Sequence, residues 1–463
     1  MKKYYDLIDQ TFYFPTAEFE VKNKNLSFNG VDLMEVIKEH GTPLKLTYLP
    51  KISEKIQSAK QIFAQAIQKK KYNGSYTYCY CTKSNHFSFV MEEALKNDIH
   101  IETSSAYDIN IVETLFEKGL ITKDTYIICN GYKRPHYLEK IASLLNAGFK
   151  NCLPILDNLM ELDYYDEHVK QPFKMGMRLA ADEEPNFEFY TSRLGIRYSD
   201  VIDYYQNRIK SNSKGQLKML HYFINTGIKD TSYYWSELSR FIYKYAELKK
   251  ICPELEAVDI GGGFPIKNSL HFEYDYQYMA EQIVENIQWI CKKNGVEDPN
   301  IFTEFGSFTV AESGATIYSV LDQKLQNDKE LWYMMDGSFI THMPDVWGIN
   351  SKFIMLPLNL WDNHYHRVNI GGLTCDSMDY YDSEAHIGEV FLPVIEKEQT
   401  LYFGFFHTGA YQESLGGYGG IQHCLIPAPK HILIDRDKNG EVVTKVFAEE
   451  QSSEQMMKIL GYK

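Results

Sequence analysis

Between residues 76 and 305 the chain alternates a short apolar run with a longer amphipathic one eight times over, and this alternation constrains its fold more than any other feature. The apolar runs are Tyr76–Thr82, Ile99–Thr103, Thr125–Asn130, Asn151–Leu156, Lys174–Leu179, Lys218–Phe223, Ala257–Ile260 and Ile301–Phe305. Several are apolar almost without interruption, the pattern of a parallel strand covered on both faces. The stretches between them place apolar residues at helical spacing. Tyr107–Lys118, with Ile111 and Leu115 on one side and Gly119 at the stop, is an example. A further helix through Ile52, Ile56, Ala59, Phe63 and Ile67 precedes the first strand. Eight strand–helix units in succession close most economically into a parallel (β/α)8 barrel of the TIM type.

Past residue 310 the texture changes. Short runs at Glu330–Met335, Arg367–Ile370, Leu401–Phe406 and His431–Asp435 are broken by Gly, Pro and Asp, which reads as an antiparallel β domain. The opening residues are strand-like as well, at Thr11–Phe14 and Pro43–Tyr48, and are expected to join that sheet. A chain of 463 residues exceeds one ordinary compact domain. The expected organisation is an N-terminal segment (1–49) that joins the β domain, a barrel (50–312) and a C-terminal β domain (313–463).

Charge and cysteine usage narrow the partners. A net charge of −14 argues against nucleic acid or an anionic membrane surface. It suits a cationic ligand, although acidity is also an ordinary aid to solubility. The eight cysteines show no paired metal-binding spacing and no secretion signal precedes them, which reads as a cytoplasmic protein without a metal site. No apolar run approaches membrane-spanning length.

In such a barrel the active site forms at the C-terminal ends of the strands. Here those ends carry Lys83, Glu102 with Ser104 and Ser105, Asn130, Arg178, Phe223 to Thr226, Gly261-Gly262-Gly263 and Glu304. A barrel held by packing alone needs no such polarity at one rim. Lys83 follows a half-buried strand, where an ammonium group is costly unless paired or covalently used. It can form a Schiff base with an aldehyde cofactor, and equally it can extend its charge to the rim water. The glycine run lets backbone N–H groups approach an anion without Cβ obstruction, so it is a phosphate cradle or a tight turn. It lacks the dinucleotide pattern. Glu304 can hold a pyridine nitrogen protonated, or pair with Arg178. Cys375 lies between turn signals, and a lone cysteine is more often a small buried hydrophobe.

Taken together, these segments resemble the fold-type-III pyridoxal-phosphate decarboxylases of the alanine-racemase-like barrel, a family that includes diaminopimelate, ornithine and biosynthetic arginine decarboxylases. Tyr80-Cys81-Thr82-Lys83-Ser84-Asn85 is similar to its Schiff-base lysine motif, and Asp259 to Gly263 to its phosphate-binding glycine loop. Glu304-Phe305-Gly306-Ser307 is similar to its Glu-Pro-Gly-Arg motif, Cys375-Asp376 to its catalytic pair, and Gly409-Ala410-Tyr411 to the motif whose tyrosine binds phosphate. Four stretches resemble the arginine branch: Cys129–Lys133, Pro344–Ile349, Thr374–Ser377 and Gly409–Glu413.

The resemblance implies pyridoxal 5'-phosphate as cofactor. It implies that Lys83 carries the cofactor, and that Glu102, Arg178, Phe223, Thr226, Gly261, Gly262, Gly263, Glu304, Gly306, Ser307 and Tyr411 surround it. It implies Cys375 as the acid that returns a proton to Cα, and Asp376 as the grip on the distal cation of a small cationic amino acid. It further implies a homodimer with shared active sites and decarboxylation of L-arginine to agmatine. Decarboxylation of another basic amino acid, racemisation, and a non-catalytic regulatory role are the alternatives. Two positions depart from the family pattern. Phe223 stands where a histidine stacks on the cofactor ring, and Ser307 stands where an arginine neutralises the phosphate. The chain is also shorter than better-known members of the arginine branch.

Overall fold

A computed structural model describes residues 16–182, 191–385, 388–416 and 423–462. The strand expected over Thr11–Phe14 lies outside them. The chain divides into two compact units, one formed by residues 53–265 and 274–309, the other by the chain up to residue 52, residues 266–273 and the chain from residue 310.

The first of these units is a closed barrel of eight strands: Tyr76–Cys81, His100–Thr103, Ile127–Cys129, Cys152–Leu156, Phe173–Arg178, Gly215–His221, Ala257–Asp259 and Asn300–Phe305. Every neighbouring pair is parallel, and the last strand closes on the first with Ile301 opposite Tyr76 and Phe305 opposite Tyr80. All eight strands read from the sequence are present.

The barrel interior is built in layers. Cys79, Ile128, Leu153, Ile155, Met219, Ala257 and Phe302 form one apolar layer. Gly176 makes room in it, because a Cβ there would stand 2.4 Å from Ile155 Cδ1. Side chains two residues apart on a strand share a face. One step further along, the same inward register therefore passes from Ile128 to Asn130, Met219 to His221, Ala257 to Asp259 and Phe302 to Glu304. Packing gives way to chemistry within one layer.

Local signals hold the surrounding helices. Ala106–Glu117 begins at Ser105, whose side chain accepts the Asp108 N–H, and Tyr276–Asn294 ends on Gly295 at φ +68°.

The other unit contains a mixed nine-stranded sheet. Leu44–Tyr48 lies inside it, antiparallel to Gly314–Gln326 and parallel to Lys430–Arg436. The strand expected over Arg367–Ile370 is instead two. Tyr365–Arg367 pairs with Phe391–Pro393, whereas Asn369–Gly371 pairs with Glu330–Met335. Val368 between them donates to Val390 O at 2.9 Å, so the chain changes partner without a turn. Among the described residues, no helix is long and apolar enough to cross a membrane.

Candidate active site

Lys83 sits in a single 3-10 turn, Thr82–Ser84, directly after the first barrel strand. The turn is fixed from both sides. Thr82 Oγ1 donates to Glu102 O at 3.1 Å and Ser84 Oγ to Cys81 O at 2.8 Å. Thr82 and Ser84 are buried while Lys83 is exposed, and its charge acts on Glu102, His221 and Glu304. Gly306 packs against this turn, since a Cβ there would lie 3.0 Å from Ser84 Cβ and 3.1 Å from Cys81 Cβ.

Three buried carboxyl groups face the interior beside it. Asn130 Nδ2 bridges two of them, donating to Glu102 Oε1 at 3.0 Å and Glu304 Oε1 at 2.7 Å. His221 Nε2 lies 3.2 Å from Glu304 Oε2. The sequence weighed Arg178 as the partner of Glu304; its two oxygens go to Asn130 and His221.

Three carboxylates so close, and so far from water, cannot all ionise. Burial, then the charge of Glu304, pushes Asp259 well above the usual range, and burial likewise raises Glu102. Burial works on Glu304 in the same direction, but His221 first, with Asp259 and Lys83 behind it, pulls it back below the usual range. Burial also lowers His221, and its Nδ1 is buried with no hydrogen-bond partner among the described residues. A neutral ring donating from Nε2 fits both facts. In that state the hydrogen bonds from Asn130 and His221, with the charge of Lys83, remain to favour an ionised Glu304.

Across the mouth, the glycine run packs against the loop that follows the sixth strand. A Cβ on Gly262 would stand 2.0 Å from Glu304 O, and one on Gly263 2.7 Å from Gly227 Cα. Gly261 is left-handed at φ +67°, and its N–H is already engaged by Asp259 Oδ1 at 2.8 Å. Within the run, Gly262 and Gly263 are therefore the N–H donors left for an anion. Thr226 Oγ1 and Asn225 Nδ2 on the facing loop are buried without a partner among the described residues. Two orphaned polar atoms beside a cradle that any Cβ would fill suit a phosphate. Phe223, 40% exposed, lies against Gly261, whose Cβ would meet its Cδ2 at 3.3 Å. Arg178 ends the fifth strand and adds its charge at His221. Ser307 opens the short helix Ser307–Val310.

Cys375, Asp376 and Tyr411 belong to the other unit. Tyr411 has φ +67° in the loop before Gln412–Gly416. The Cys375 loop is organised by buried Asp379, whose carboxylate accepts from Phe339 N at 2.7 Å and from Thr374 Oγ1 and N at 2.7 and 3.1 Å. A Cβ on Gly372 would stand 2.3 Å from Asp379 Oδ2. Cys375 and Asp376 are presented at the surface of this loop. Asp376 Oδ1 accepts the Met378 N–H at 2.8 Å, and Oδ2 lies 3.7 Å from His423 Nε2. Cys375 Sγ is 3.3 Å from Cys424 Sγ. The linear sequence, with no paired cysteine spacing, did not bring these two together. It placed His221 at the start of the family's His-x-His-x-Gly-Ser motif but gave it no role, and it did not identify the bridging of Asn130 or Asp379.

A lysine at the end of the first strand whose charge reaches the buried carboxyls, a carboxylate kept ionised among protonated ones and a glycine cradle on a (β/α)8 barrel together fit a pyridoxal-phosphate enzyme. The chain belongs to the pyridoxal-dependent decarboxylases, whose pyridoxal-binding domain it matches over residues 51–311. It is a pyridoxal-phosphate-dependent amino-acid decarboxylase. Among curated relatives, it is 22% identical to the biosynthetic arginine decarboxylase of Prochlorococcus marinus (strain MIT 9215), over 93% of this chain and 85% of the relative. Among solved structures, the biosynthetic arginine decarboxylase of Campylobacter jejuni shares its fold with a TM-score of 0.82 at 20% identity, covering 97% of this chain and 89% of that one. A diaminopimelate decarboxylase from M. jannaschii follows with a TM-score of 0.80 at 18% identity, covering 96% and 98%.

Proposed function

We propose that this enzyme decarboxylates L-arginine to agmatine and carbon dioxide, as a homodimer whose two active sites are shared between subunits. The observation that carries this reading is the match, along nearly the whole chain, to relatives named biosynthetic arginine decarboxylase. The resemblance of Cys129–Lys133, Pro344–Ile349, Thr374–Ser377 and Gly409–Glu413 to that branch supports it.

The residues divide the work as follows. Lys83 holds the aldehyde. Gly262, Gly263, Thr226, Gly306, Ser307 and Tyr411 hold the phosphate, with Arg178 and Glu102 bordering the ring and Phe223 offering it a flat face. Bound pyridoxal phosphate supplies an electron sink for the pair of electrons that departing carbon dioxide leaves on Cα. Glu304 keeps that sink effective by holding a proton on the ring nitrogen, which requires an ionised carboxylate. Cys375 then gives Cα its proton. A thiol is mostly protonated at neutral pH, so Cys375 has the proton to give.

Asp376 takes the guanidinium. A planar fork can engage a carboxylate through two parallel hydrogen bonds, whereas an ammonium binds as a point charge. The expected result is a kcat/KM for arginine above those for ornithine, lysine and diaminopimelate, with Asp376→Asn raising KM for arginine and leaving the cofactor absorbance intact. A higher specificity constant for any of the other three substrates overturns the assignment of arginine.

A further inference from the structure

Cys375 and Cys424 are 49 residues apart in sequence, and no spacing rule joins them. In the fold their sulfur atoms stand 3.3 Å apart, and the Cys375 N–H points at Cys424 Sγ at 3.4 Å. Both residues are exposed. His423 brings an imidazole nitrogen into the same cluster, with all three ligand atoms within 4.8 Å of one another.

One other thiol pair lies close among the described residues, Cys129 and Cys152 at 3.8 Å, and it is fully buried within the barrel. Solvent reaches the first pair and not the second, and reaction with a dissolved oxidant follows access and thiolate character. A disulfide needs its sulfurs about 2.0 Å apart, so rotation of two surface side chains is the movement required.

We propose that Cys375 and Cys424 form an oxidisable dithiol, which a peroxide closes into a disulfide within one chain, removing the proton donor from the active site. The proposal rests on the reading of Cys375 as that donor. In the first step a thiolate sulfur of the pair attacks the peroxide: an S–O bond forms, the O–O bond breaks, and one water leaves. In the second, the other thiol displaces the hydroxyl from that sulfur: an S–S bond forms, the S–O bond breaks, and a second water leaves with the thiol proton. Two thiols and one hydrogen peroxide give one disulfide and two waters. His423, beside both sulfurs, is placed to take the thiol proton in either step. A dithiol such as dithiothreitol reverses the closure by exchange.

The tightness of the sulfur pair favours this chemistry over metal capture. A tetrahedral thiolate–imidazole site places its ligands about 2.0–2.3 Å from a central ion, which spreads sulfurs apart rather than drawing them together.

The test uses the pyridoxal-phosphate-loaded enzyme treated with one equivalent of hydrogen peroxide, quenched with N-ethylmaleimide and mapped by mass spectrometry. The expected result is a linked Cys375–Cys424 peptide, a single-chain band on non-reducing gels, and at least a tenfold fall in kcat that dithiothreitol restores. Cys424→Ser, or Cys424→Ala should the first fold poorly, is expected to keep the resting kcat. Its Cys375, with no neighbour to resolve it, should oxidise further and lose activity that dithiothreitol does not restore. The proposal is overturned if both thiols alkylate separately after peroxide, or if the bridge joins two chains. It is also overturned if one equivalent of Zn2+ shields both thiols until a chelator is added. Full turnover by Cys375→Ser would instead remove the proton-donor reading while the mapped disulfide stands.

Discussion

Glu304 and Asp259 carry the same functional group in one barrel mouth, yet neighbours drive them to opposite protonation states. Donors decide the difference: Asn130 and His221 converge on Glu304, while Asp259 Oδ2 faces none among the described residues. If Ser307 stands at the phosphate as proposed, that end lacks the family's arginine and its affinity leans on neutral donors. Thr226→Val should weaken cofactor binding about tenfold and Ser307→Arg tighten it about ten- to hundredfold, by the worth of a hydrogen bond to a charged group. Titration of the apoenzyme with cofactor reads both, and no gain from Ser307→Arg would mean that another cation neutralises the phosphate. His100 makes a separate prediction about pH. Its Nδ1 accepts the Tyr126 N–H at 3.1 Å, which demands a neutral ring, and burial first, then Lys60, lowers it from 6.5 to about 4. The unfolded chain takes up a proton near pH 6.5 and the folded one only near 4. Stability is therefore full above 6.5 and falls as pH drops through that window, by about 2 kcal/mol after allowing for partial exposure. Denaturant midpoints measured from pH 7 to 4 should show this loss, and His100→Gln should flatten it.

The loop carrying Cys375 and Asp376 depends on the carboxylate of Asp379. Asp379→Ala leaves the Phe339 N–H and both Thr374 donors unpaired, at about 1–3 kcal/mol for each buried group. Stability should fall, and kcat/KM should drop more than tenfold while cofactor absorbance is retained. Unchanged kinetics would mean that the loop keeps its shape through other contacts. Elements differ in how plainly the sequence announces them. The barrel strands were legible because a parallel strand buried on both faces needs an unbroken apolar run, as in Cys152–Leu156. The split at Val368 was not, because alternation along Arg367–Ile370 says nothing about which neighbour each half pairs with. In the site, Lys83, Glu304 and the glycine run stand at strand ends and could be read there. Asn130 as a bridge, Asp379 as a loop organiser and Cys424 beside Cys375 depend on long-range proximity, which no local pattern encodes.

At the scale of the whole molecule, the proposed dimer makes a distinct prediction. If Cys375 and Asp376 serve the partner's Lys83, mixing inactive Lys83→Ala with inactive Cys375→Ala chains should restore activity, since one site of each heterodimer is intact. No recovery after verified subunit exchange would assign both residues to one chain's site. The strand Leu44–Tyr48 has a consequence of another kind. One of its two neighbours, Lys430–Arg436, is among the last strands made, so a nascent chain carries this segment without its complete sheet until synthesis is nearly finished. The barrel strands all lie between residues 76 and 305 and can close while the remainder is still being translated. Ribosome-stalled chains long enough for Phe305 to have cleared the exit tunnel should then already resist protease across the barrel, while Leu44–Tyr48 stays cleavable until Lys430–Arg436 emerges.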